Sequence, residues 1–381
     1  QLQDACGIVW NKPELLRRQI LRCCAVQFIE GDVLHWWHRL PHSAGGLRGV
    51  RTRCSDDMLW LPYALAHYLR EIPNDGAILH LQVAYLDGES LRSDEDERYF
   101  MPAVSNKKES IFNHALRAVK ICMSRTGAHG LPLFGNGDWN DSFNEVGTKG
   151  RGESVWLGMF LAMTLDMFAP VCEKMGDTAF AEKARAQAAS LRGIIDQNCW
   201  EGDHYLRGWY DDGTPLGVNG AHACAIDSLT QSFAVFAGIG DKNRRQTALE
   251  AAYHALVDKE HRMIKLYAPP FDHAAVLERH PGYAAAYPPG IRENGGQYTH
   301  SAVWLAMAFA HDGQKERARE LLRLINPAEI CRSKEAAERY GGEPYALAGD
   351  VSAAQGIEGR AGWTLYTGSA AWFLQALRLI D

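Results

Sequence analysis

The sequence has no long run of apolar or basic residues, and each absence excludes a class of protein. No stretch of about 20 apolar residues is present, so we expect no segment that spans a bilayer. Lysine and arginine form no long cluster and the formal net charge is −6, which argues against nucleic acid as the main partner. No secretory signal begins the chain, and its opening on Gln1 in mid-pattern suggests a fragment or a trimmed chain.

Cysteine spacing gives no sign of a metal site or of a disulfide framework. The nine cysteines are an odd number, they contain no CxxC pair, and no His/Cys group has the spacing of a zinc site. We therefore predict nine reduced thiols in a reducing compartment and no metal. The cysteines are Cys6, Cys23, Cys24, Cys54, Cys122, Cys172, Cys199, Cys224 and Cys331.

The composition that remains is that of a soluble globular protein. With 381 residues, 46% hydrophobic and 23% charged, the chain can bury a large core as one large domain or two ordinary ones, and no linker divides it. Eleven Trp and 14 Tyr are generous numbers, and many stand beside Gly, Asp or His. Sugar-binding clefts use such aromatic platforms, although an ordinary core role explains most of them.

Helical periodicity dominates the pattern and predicts about ten helices. Strand signals are few: residues 204–209 alternate before a turn, and residues 89–98 are typical of a surface loop. Helices at hairpin spacing without a sheet predict an all-α toroid of the (α/α)6 type, while an open solenoid is disfavoured because no fixed repeat occurs. The predicted helices are 13–29, 57–72, 109–125, 153–175, 178–199, 226–239, 241–258, 296–310, 314–325 and 368–380.

The first chemical motif is the Gly-rich turn at 135–141, in which Asp138 and Asp141 flank Trp139 and Asn140. A plain Asx turn or a helix cap would explain the two acids. The functional alternative is a general acid, because a neighbouring Trp lowers the local polarity and raises the pKa of a carboxyl group.

The second motif, at 292–300, places Glu293 on a loop and His300 one turn into the next helix. It is either a capped helix start with a core histidine or a loop where glycines let the backbone approach a ligand. The third, at 362–370, opens the last helix with Thr367 and Gly368. Simple N-capping and an anion site at the helix N-terminus are both open for it.

The fourth motif combines residues 32–38 with a segment at 48–57. Arg48, Arg51 and Arg53 precede the acids Asp56 and Asp57. Such a segment either binds an anion or forms a surface salt-bridge network, and the sequence does not decide between the two.

In this order, the four motifs resemble glycoside hydrolase family 94, the inverting β-glucoside phosphorylases. The resemblance runs from Gln1 nearly to the end of the chain. It is nearest to the branch of 1,2-β-oligoglucan phosphorylases and of the C-terminal region of cyclic β-1,2-glucan synthases. It implies a single (α/α)6 catalytic domain over 1–381, without the β-sandwich domain that precedes it in the family.

The resemblance also implies roles for individual residues. Asp141 is the general acid, and Trp139 and Glu293 contact the glycone sugar. His300, Thr367 and Gly368 bind phosphate. We also assign Arg53, Asp56 and Gln297 to substrate binding on the same basis.

Two features depart from the family pattern. Ser142 stands where the family has Gly, which is expected to stiffen the turn. The Arg-Asp pair that precedes Gln1 in the family is absent, together with a phosphate-binding Arg further upstream. We therefore expect the first barrel helix to be missing and the inner ring to be frayed near Gln1.

The residues fit phosphorolysis on chemical grounds. An inverting hydrolase needs both an acid and a base, whereas a phosphorylase needs only the acid because phosphate is itself the nucleophile. The expected reaction cleaves or forms β-linked gluco-oligosaccharides, with β-1,2-glucan favoured, and yields α-glucose 1-phosphate. We expect no cofactor, because inorganic phosphate is a co-substrate. The expected binding partners are a β-gluco-oligosaccharide and phosphate, and a homodimer is possible.

Two alternatives to a phosphorylase stay open at this stage. One is an inverting β-glucan hydrolase on the same fold with Glu293 as base. Another is a glucan-binding fragment without activity. The expected location is the cytoplasm, either as a free enzyme or as the cytoplasmic part of a larger membrane-associated synthase.

Overall fold

The computed structural model describes residues 1–40, 46–365 and 367–381, and this part of the chain is rich in helix. Its α-helices are α1 Leu2–Cys6, α2 Pro13–Cys24, α3 Trp60–Glu71, α4 Ile111–Ser124, α5 Val155–Lys174, α6 Thr178–Asn198, α7 Ser228–Phe236, α8 Lys242–Leu256, α9 His273–Glu278, α10 Thr299–His311, α11 Lys315–Ile325, α12 Pro327–Ile330, α13 Lys334–Tyr340 and α14 Thr367–Ile380. Short 3₁₀ turns cover Gly76–His80, Asp141–Phe143 and Tyr283–Ala286.

Every helix that the periodicity predicts is present, and most are shorter than predicted, although α10 ends one residue later and α14 begins one residue earlier. The first ends at Cys24 rather than at residue 29, because Gln27 leaves the helix to bridge Val33. The second begins at Trp60 rather than at residue 57. The helices α1, α9, α12 and α13 were not predicted, because each has seven residues or fewer and shows too little of the 3.6-residue period.

Six helices follow one another round a closed circuit of contacts. The order is α1, α3, α5, α7, α10 and α14, and α14 contacts α1 again. The helices α2, α4, α6, α8 and α11 each contact the circuit helix that precedes them in the chain. The circuit helix α10 is buried almost all round, whereas α11 buries only Ala318, Leu321, Leu322 and Ile325, as expected for an inner and an outer position.

The circuit helix α5 corrects one expectation. Over Val155–Lys174 it is long and apolar enough to cross a membrane by length and composition, which the search for apolar runs missed. In the structure, 78% of its apolar window is buried by the rest of the protein. Neighbouring helices therefore account for its apolar character, as in the core helix of a globular domain.

Strands are more numerous in the described residues than the sequence indicated, although most are two residues long. Three of the longer strands, Leu34–Arg39, Leu47–Thr52 and Glu97–Phe100, form one sheet in that order. Gln82–Asp87 and Ala103–Ser110 form a separate two-stranded antiparallel sheet. No residue of Glu97–Phe100 or Ala103–Ser110 is fully buried, so the alternation that marks a half-buried strand is weak in these two. The strands are β1 Leu34–Arg39, β2 Leu47–Thr52, β3 Gln82–Asp87, β4 Glu97–Phe100, β5 Ala103–Ser110, β6 Glu153–Ser154, β7 Gly208–Trp209, β8 Pro215–Leu216, β9 Ile226–Asp227, β10 Val257–Asp258, β11 Met263–Ile264, β12 Tyr267–Ala268, β13 Gln297–Tyr298 and β14 Asp350–Val351.

The predicted strand at 204–209 and the predicted loop at 89–98 are shorter than expected. Only Gly208–Trp209 pairs as a strand, and Glu97–Phe100 takes the end of the loop into the sheet. All nine cysteines lie in the described residues and all are free thiols, as predicted.

Candidate active site

A cavity of about 600 Å³ lies at the N-terminal ends of the circuit helices α1, α3 and α10 and beside the loop that precedes α5. Asp56 and Asp57 reach it just before α3, and His300 reaches it from the first turn of α10. Trp139 and Asp141 reach it from the loop before α5. Helix N-termini carry partial positive charge from their free N–H groups, so this end of the circuit favours a negatively charged ligand.

A buried ion pair holds the loop that carries Trp139 and Asp141. Asp138 and Arg207 are both fully buried, and the two guanidinium NH groups donate to the two carboxylate oxygens at 2.6 Å each. The Ser154 hydroxyl, which also caps α5, donates to Asp138 Oδ2 at 2.6 Å. Burial opposes the charge on Arg207, but Asp138 and Asp227 keep its pKa above the ordinary value. The loop is therefore anchored to the start of α5 at Asp138.

Close contacts fix the turn between Asp138 and Asp141. The Ser142 hydroxyl donates to the Asn140 side-chain oxygen at 2.5 Å. Glycine at this position would lack that bond, so Ser142 stiffens the turn in the way its departure from the family pattern led us to expect. Gly137 has φ 134°, and a Cβ there would lie 3.0 Å from the Asp141 Cα. Only glycine fits that position without displacing Asp141.

Aromatic rings surround Trp139. Its ring centroid lies 5.0 Å from Trp304, 5.1 Å from Tyr298 and 5.8 Å from His300. The Asp141 side chain stays 61% exposed, so the neighbouring Trp139 does not shield it as the sequence suggested. The Asp141 carboxylate instead lies 3.4 Å from His35 Nε2.

His300 faces the cavity with an unsatisfied nitrogen. Its Nδ1 is buried and has no hydrogen-bond partner among the described residues. Burial lowers the pKa of His300 to about 4, and the charge of Asp4 opposes that shift. The ring packs directly on Gly368, where a Cβ would collide with His300 Nε2. Thr367 begins α14, but its side chain lies outside the described residues, so its predicted phosphate contact stays a prediction.

Two adjacent acids at the start of α3 differ in environment. Asp56 is buried and accepts a hydrogen bond from Trp60 Nε1 at 2.9 Å. Burial raises its pKa well above the usual value, and the charge of Asp57 adds to the shift. A raised pKa favours the protonated carboxyl group, which is the form that can donate a hydrogen bond as well as accept one. Asp57 instead accepts from His35 Nδ1 at 2.9 Å.

Four of the predicted binding residues do not line this cavity: Arg53, Gln297, Glu293 and Gly368. Arg53 donates to the backbone carbonyls of Glu95, at 2.7 Å, and Arg92, at 2.5 Å, and lines a separate cavity of about 500 Å³. Gln297 is buried, where its side-chain oxygen accepts from the Ile264 N–H at 2.8 Å. The side chains of Arg53 and Gln297 therefore hold neighbouring backbone segments in place by hydrogen bonds.

Glu293 lies beside Arg292, with 3.3 Å between the charged atoms, and its side chain is 17% exposed. Burial raises its pKa, and the negative charge of Asp141 adds to the effect, against the charge of Arg292. The second and first motifs therefore interact electrostatically, although Glu293 does not line the cavity that holds Asp141.

The sequence analysis missed two residues that shape the site. Arg207 stands in an alternating apolar segment, and a charged residue in such a pattern is the signal that could have identified a buried ion pair. His35 lay within the fourth motif, but nothing in its spacing from Asp57 or Asp141 indicated that it would contact both.

One group of donor atoms in the described residues has the compactness of a metal site. His35, Cys54 and Asp57 each bring an atom within 4.8 Å of the others. The imidazole is already paired with Asp57, and burial raises the pKa of Cys54 to about 12, which keeps the thiol protonated. The expectation of no metal stays a prediction here, because a bound cation would itself lower the pKa of the thiol.

A larger cavity of about 770 Å³ lies at the opposite, C-terminal ends of the circuit helices. His67 and Arg70 of α3 and His311 of α10 line it, and Trp304 separates it from Trp139. None of the predicted site residues within the described chain lines this cavity. The predicted site residues Asp56, Trp139, Asp141 and His300, which line the smaller cavity, take no part in this larger one.

Comparison with known proteins identifies relatives over most of the chain. The chain is 43% identical over 376 residues to a cyclic beta-(1,2)-glucan synthase NdvB from Rhizobium meliloti, covering 99% of this chain and 13% of that protein. It is 28% identical to a solabiose phosphorylase from Paenibacillus borealis, covering 99% of this chain and 45% of the relative. It is 34% identical to a 3-O-beta-D-glucopyranosyl-beta-D-glucuronide phosphorylase from the same organism, covering 84% of this chain and 38% of that relative. The chain thus spans less than half the length of each of these relatives.

Solved structures share the fold at low sequence identity. A point variant of a glycosidase aligns with a TM-score of 0.59 and 12% identity over 100% of this chain and 87% of its own. An uncharacterized conserved protein from Thermus thermophilus gives the same TM-score and identity, covering 100% and 90%. Residues 1–379 match the family described as glycosyl hydrolase 94 superfamily, catalytic domain. The chain therefore belongs to the glycosyl hydrolase 94 superfamily, whose catalytic domain it matches from its first residue almost to its last.

Proposed function

We propose that this domain catalyses the inverting phosphorolysis of β-1,2-linked gluco-oligosaccharides, or the reverse synthesis, with α-glucose 1-phosphate as product or donor. The observation that carries the proposal is the shared cavity of Asp141, Trp139 and His300 at the N-terminal ends of the circuit helices α1, α3 and α10 and beside the loop that precedes α5. Family membership and the names of the phosphorylase and glucan synthase relatives support it.

In the proposed reaction, a phosphate oxygen attacks the anomeric carbon from the face opposite the glycosidic oxygen. The bond between the anomeric carbon and the glycosidic oxygen breaks as Asp141 donates its proton to the glycosidic oxygen. The proton that hydrogen phosphate loses then reprotonates the Asp141 carboxylate. Asp56 and Trp139 hold the glycone sugar, with Glu293 nearby. His300 and the Gly368 end of α14 hold the phosphate, where the helix N-terminus offers free N–H groups.

We further propose that the circuit of six helices and the helices outside it form an (α/α)6 toroid, with residues 1–381 as one catalytic domain. The closed circuit and the alternation of inner and outer helices along the chain support this arrangement. For location, we propose the cytoplasm or the cytoplasmic part of a larger synthase, which the nine free thiols support because they suit a reducing compartment.

The test is a phosphate-release assay with α-glucose 1-phosphate and a panel of glucose disaccharides, alongside sugar release from β-1,2-glucan with and without phosphate. We expect phosphate release with the acceptor of the matching linkage, and sugar release that depends on phosphate. Equal sugar release in phosphate-free buffer would instead identify a hydrolase, and Glu293→Gln would then abolish activity as the loss of its base.

Removal of the His300 side chain tests the phosphate site separately. Each charge-assisted hydrogen bond to phosphate contributes roughly 1.5–3 kcal/mol, so His300→Ala is expected to weaken phosphate binding about tenfold to a hundredfold. Saccharide affinity changes little, because other residues contact the sugar. His311→Ala is the matched control, since His311 ends the same helix and lines the opposite cavity. Unchanged phosphate affinity in His300→Ala would remove His300 from the phosphate site.

A further inference from the structure

The local geometry of β1 brings His35 into the cavity. Strand β1 pairs with β2 through Leu34 opposite Arg51 and Trp36 opposite Val50, so the register advances two residues on one strand and one on the other. His35 is the extra residue of this bulge. Bulges redirect a side chain out of the regular alternation and are common next to active sites. Here the redirected imidazole lines the same cavity as Asp141.

The two nitrogens of His35 face two different carboxylates. Nδ1 lies 2.9 Å and 3.0 Å from the two oxygens of Asp57, and Nε2 lies 3.4 Å from Asp141 Oδ2. His35 is 25% exposed and Asp57 is 18% exposed, so water screens this pair only partly. Among the described residues, His35 is the side chain that forms an ion pair with Asp141.

We propose that His35 is a positioning residue for Asp141: it holds Oδ2 of the carboxyl group and its charge adjusts how readily that group releases its proton. The inference rests on the proposed role of Asp141 as general acid. With Oδ2 held by the imidazole, Oδ1 is the oxygen that faces the glycosidic bond. The Asp57 carboxylate balances the charge of His35, so the pair beside Asp141 is nearly neutral.

The surrounding charges agree with this arrangement. Asp57 is the main reason that the pKa of His35 is raised far above its ordinary value, with Asp141 and Cys54 adding hydrogen bonds, so the ring is an imidazolium with both N–H groups as donors. The other titratable groups near Asp141 are Asp56, Cys54 and Glu293. None of these three groups carries a positive charge, so the positive charge next to Asp141 comes from His35.

The test compares pH–rate profiles of wild type and His35→Gln. Loss of the imidazolium leaves Asp57 uncompensated, and both changes disfavour the Asp141 carboxylate. The alkaline limb of the kcat profile is therefore expected to move up by about one pH unit, since a nearby opposite charge shifts a carboxyl pKa by roughly that amount or more. We also expect kcat to fall about tenfold, with KM for phosphate and saccharide nearly unchanged.

His38→Gln is the matched control, because His38 lies on the same strand, bonds to Tyr99 OH at 2.7 Å and lies outside the cavity lining. His35→Ala provides a second variant should His35→Gln fold poorly. Its alkaline limb is expected to move in the same direction, because it removes the same charge. A limb that stays in place in both folded variants overturns the inference.

The comparison does not depend on phosphorolysis. A hydrolase would also use Asp141 as its acid. The shift of the alkaline limb of the kcat profile is therefore measured with whichever activity, phosphorolysis or hydrolysis, the wild type shows. If the wild type shows neither activity, the proposed function fails, and the carboxyl pKa of Asp141 is read from ¹³C-labelled aspartate with Asp141→Asn for assignment. An Asp141 pKa that is equal in wild type and His35→Gln contradicts the positioning role even then.

Discussion

At the scale of single residues, the two acids of the 135–141 loop have separate tasks. Asp141 is 61% exposed in the cavity, whereas Asp138 is fully buried against Arg207. Two carboxyl groups three residues apart thus have opposite environments. One is open to a ligand in the cavity, and the other is paired with a guanidinium group inside the protein.

Replacement of Asp141 by Asn is expected to act on turnover alone. The amide keeps the size of the side chain but cannot donate the proton, and general acid catalysis contributes on the order of 100- to 10,000-fold. We expect kcat to fall by that factor with saccharide affinity little changed, as measured by steady-state kinetics and binding calorimetry. Nearly full turnover by Asp141→Asn would exclude Asp141 as the acid.

At the scale of structural elements, the buried ion pair joins three separate segments of the chain. Arg207 precedes β7, Asp138 belongs to the active-site loop, and Asp227 caps α7 while lying 3.3 Å from Arg207 Nε. Burial raises the pKa of Asp227 to about 6, against the pull of Arg207. Removal of one partner therefore leaves charge in a site that water does not reach.

Arg207→Met is expected to lower the free energy of unfolding by about 3–5 kcal/mol, because the loss of one partner of a buried pair leaves the other uncompensated. Urea denaturation gives the measurement. Arg185→Met is the control, since the ion pair of Arg185 with Glu173 is exposed and its loss is expected to change little. The double variant Arg207→Met with Asp138→Leu should recover part of the loss. A cost for Arg207→Met no larger than that of the control would contradict the anchoring role.

The elements also mark the limit of prediction from sequence. The ten longer helices follow from periodicity, because each buries an apolar face or is apolar all round. The two-residue strands and the bulge at His35 depend on partners distant in sequence, which no local pattern encodes. The motif residues Trp139, Asp141 and His300 do line one cavity. The hydrogen bonds that hold Arg53 and Gln297 elsewhere depend on the loop at 92–95 and on β11, which lie far from them in sequence.

At the scale of the whole molecule, closure of the helical circuit depends on a short helix. Helix α1 has five residues, and it lies between α3 and α14. His67 of α3 joins that helix to α1, because its Nε2 lies 3.3 Å from the Cys6 carbonyl oxygen, while its Nδ1 lies 3.0 Å from a nitrogen of Arg70 on its own helix. Donation to the carbonyl and acceptance from Arg70 require the neutral imidazole.

This arrangement predicts a loss of stability in acid that His67 controls. Burial and the Arg70 charge lower the pKa of His67 to about 4 in the folded protein, whereas an unfolded histidine titrates near 6.5. Between those values the unfolded chain binds a proton that the folded protein excludes, so stability falls as the pH drops. Between pH 7 and pH 5 the contribution of His67 is about 2 kcal/mol.

Urea unfolding at pH 7 and pH 5 measures this contribution as the difference between wild type and His67→Gln. Glutamine keeps a donor for the Cys6 carbonyl but does not titrate, so the variant should lose less stability than wild type over that interval, by about the amount given above. His254→Gln is the control, because the His254 side chain on α8 is 76% exposed, whereas the His67 side chain is buried. Equal acid sensitivity of wild type and His67→Gln would show that His67 is not held neutral, and the hydrogen bonds that join α3 to α1 would then require a different assignment.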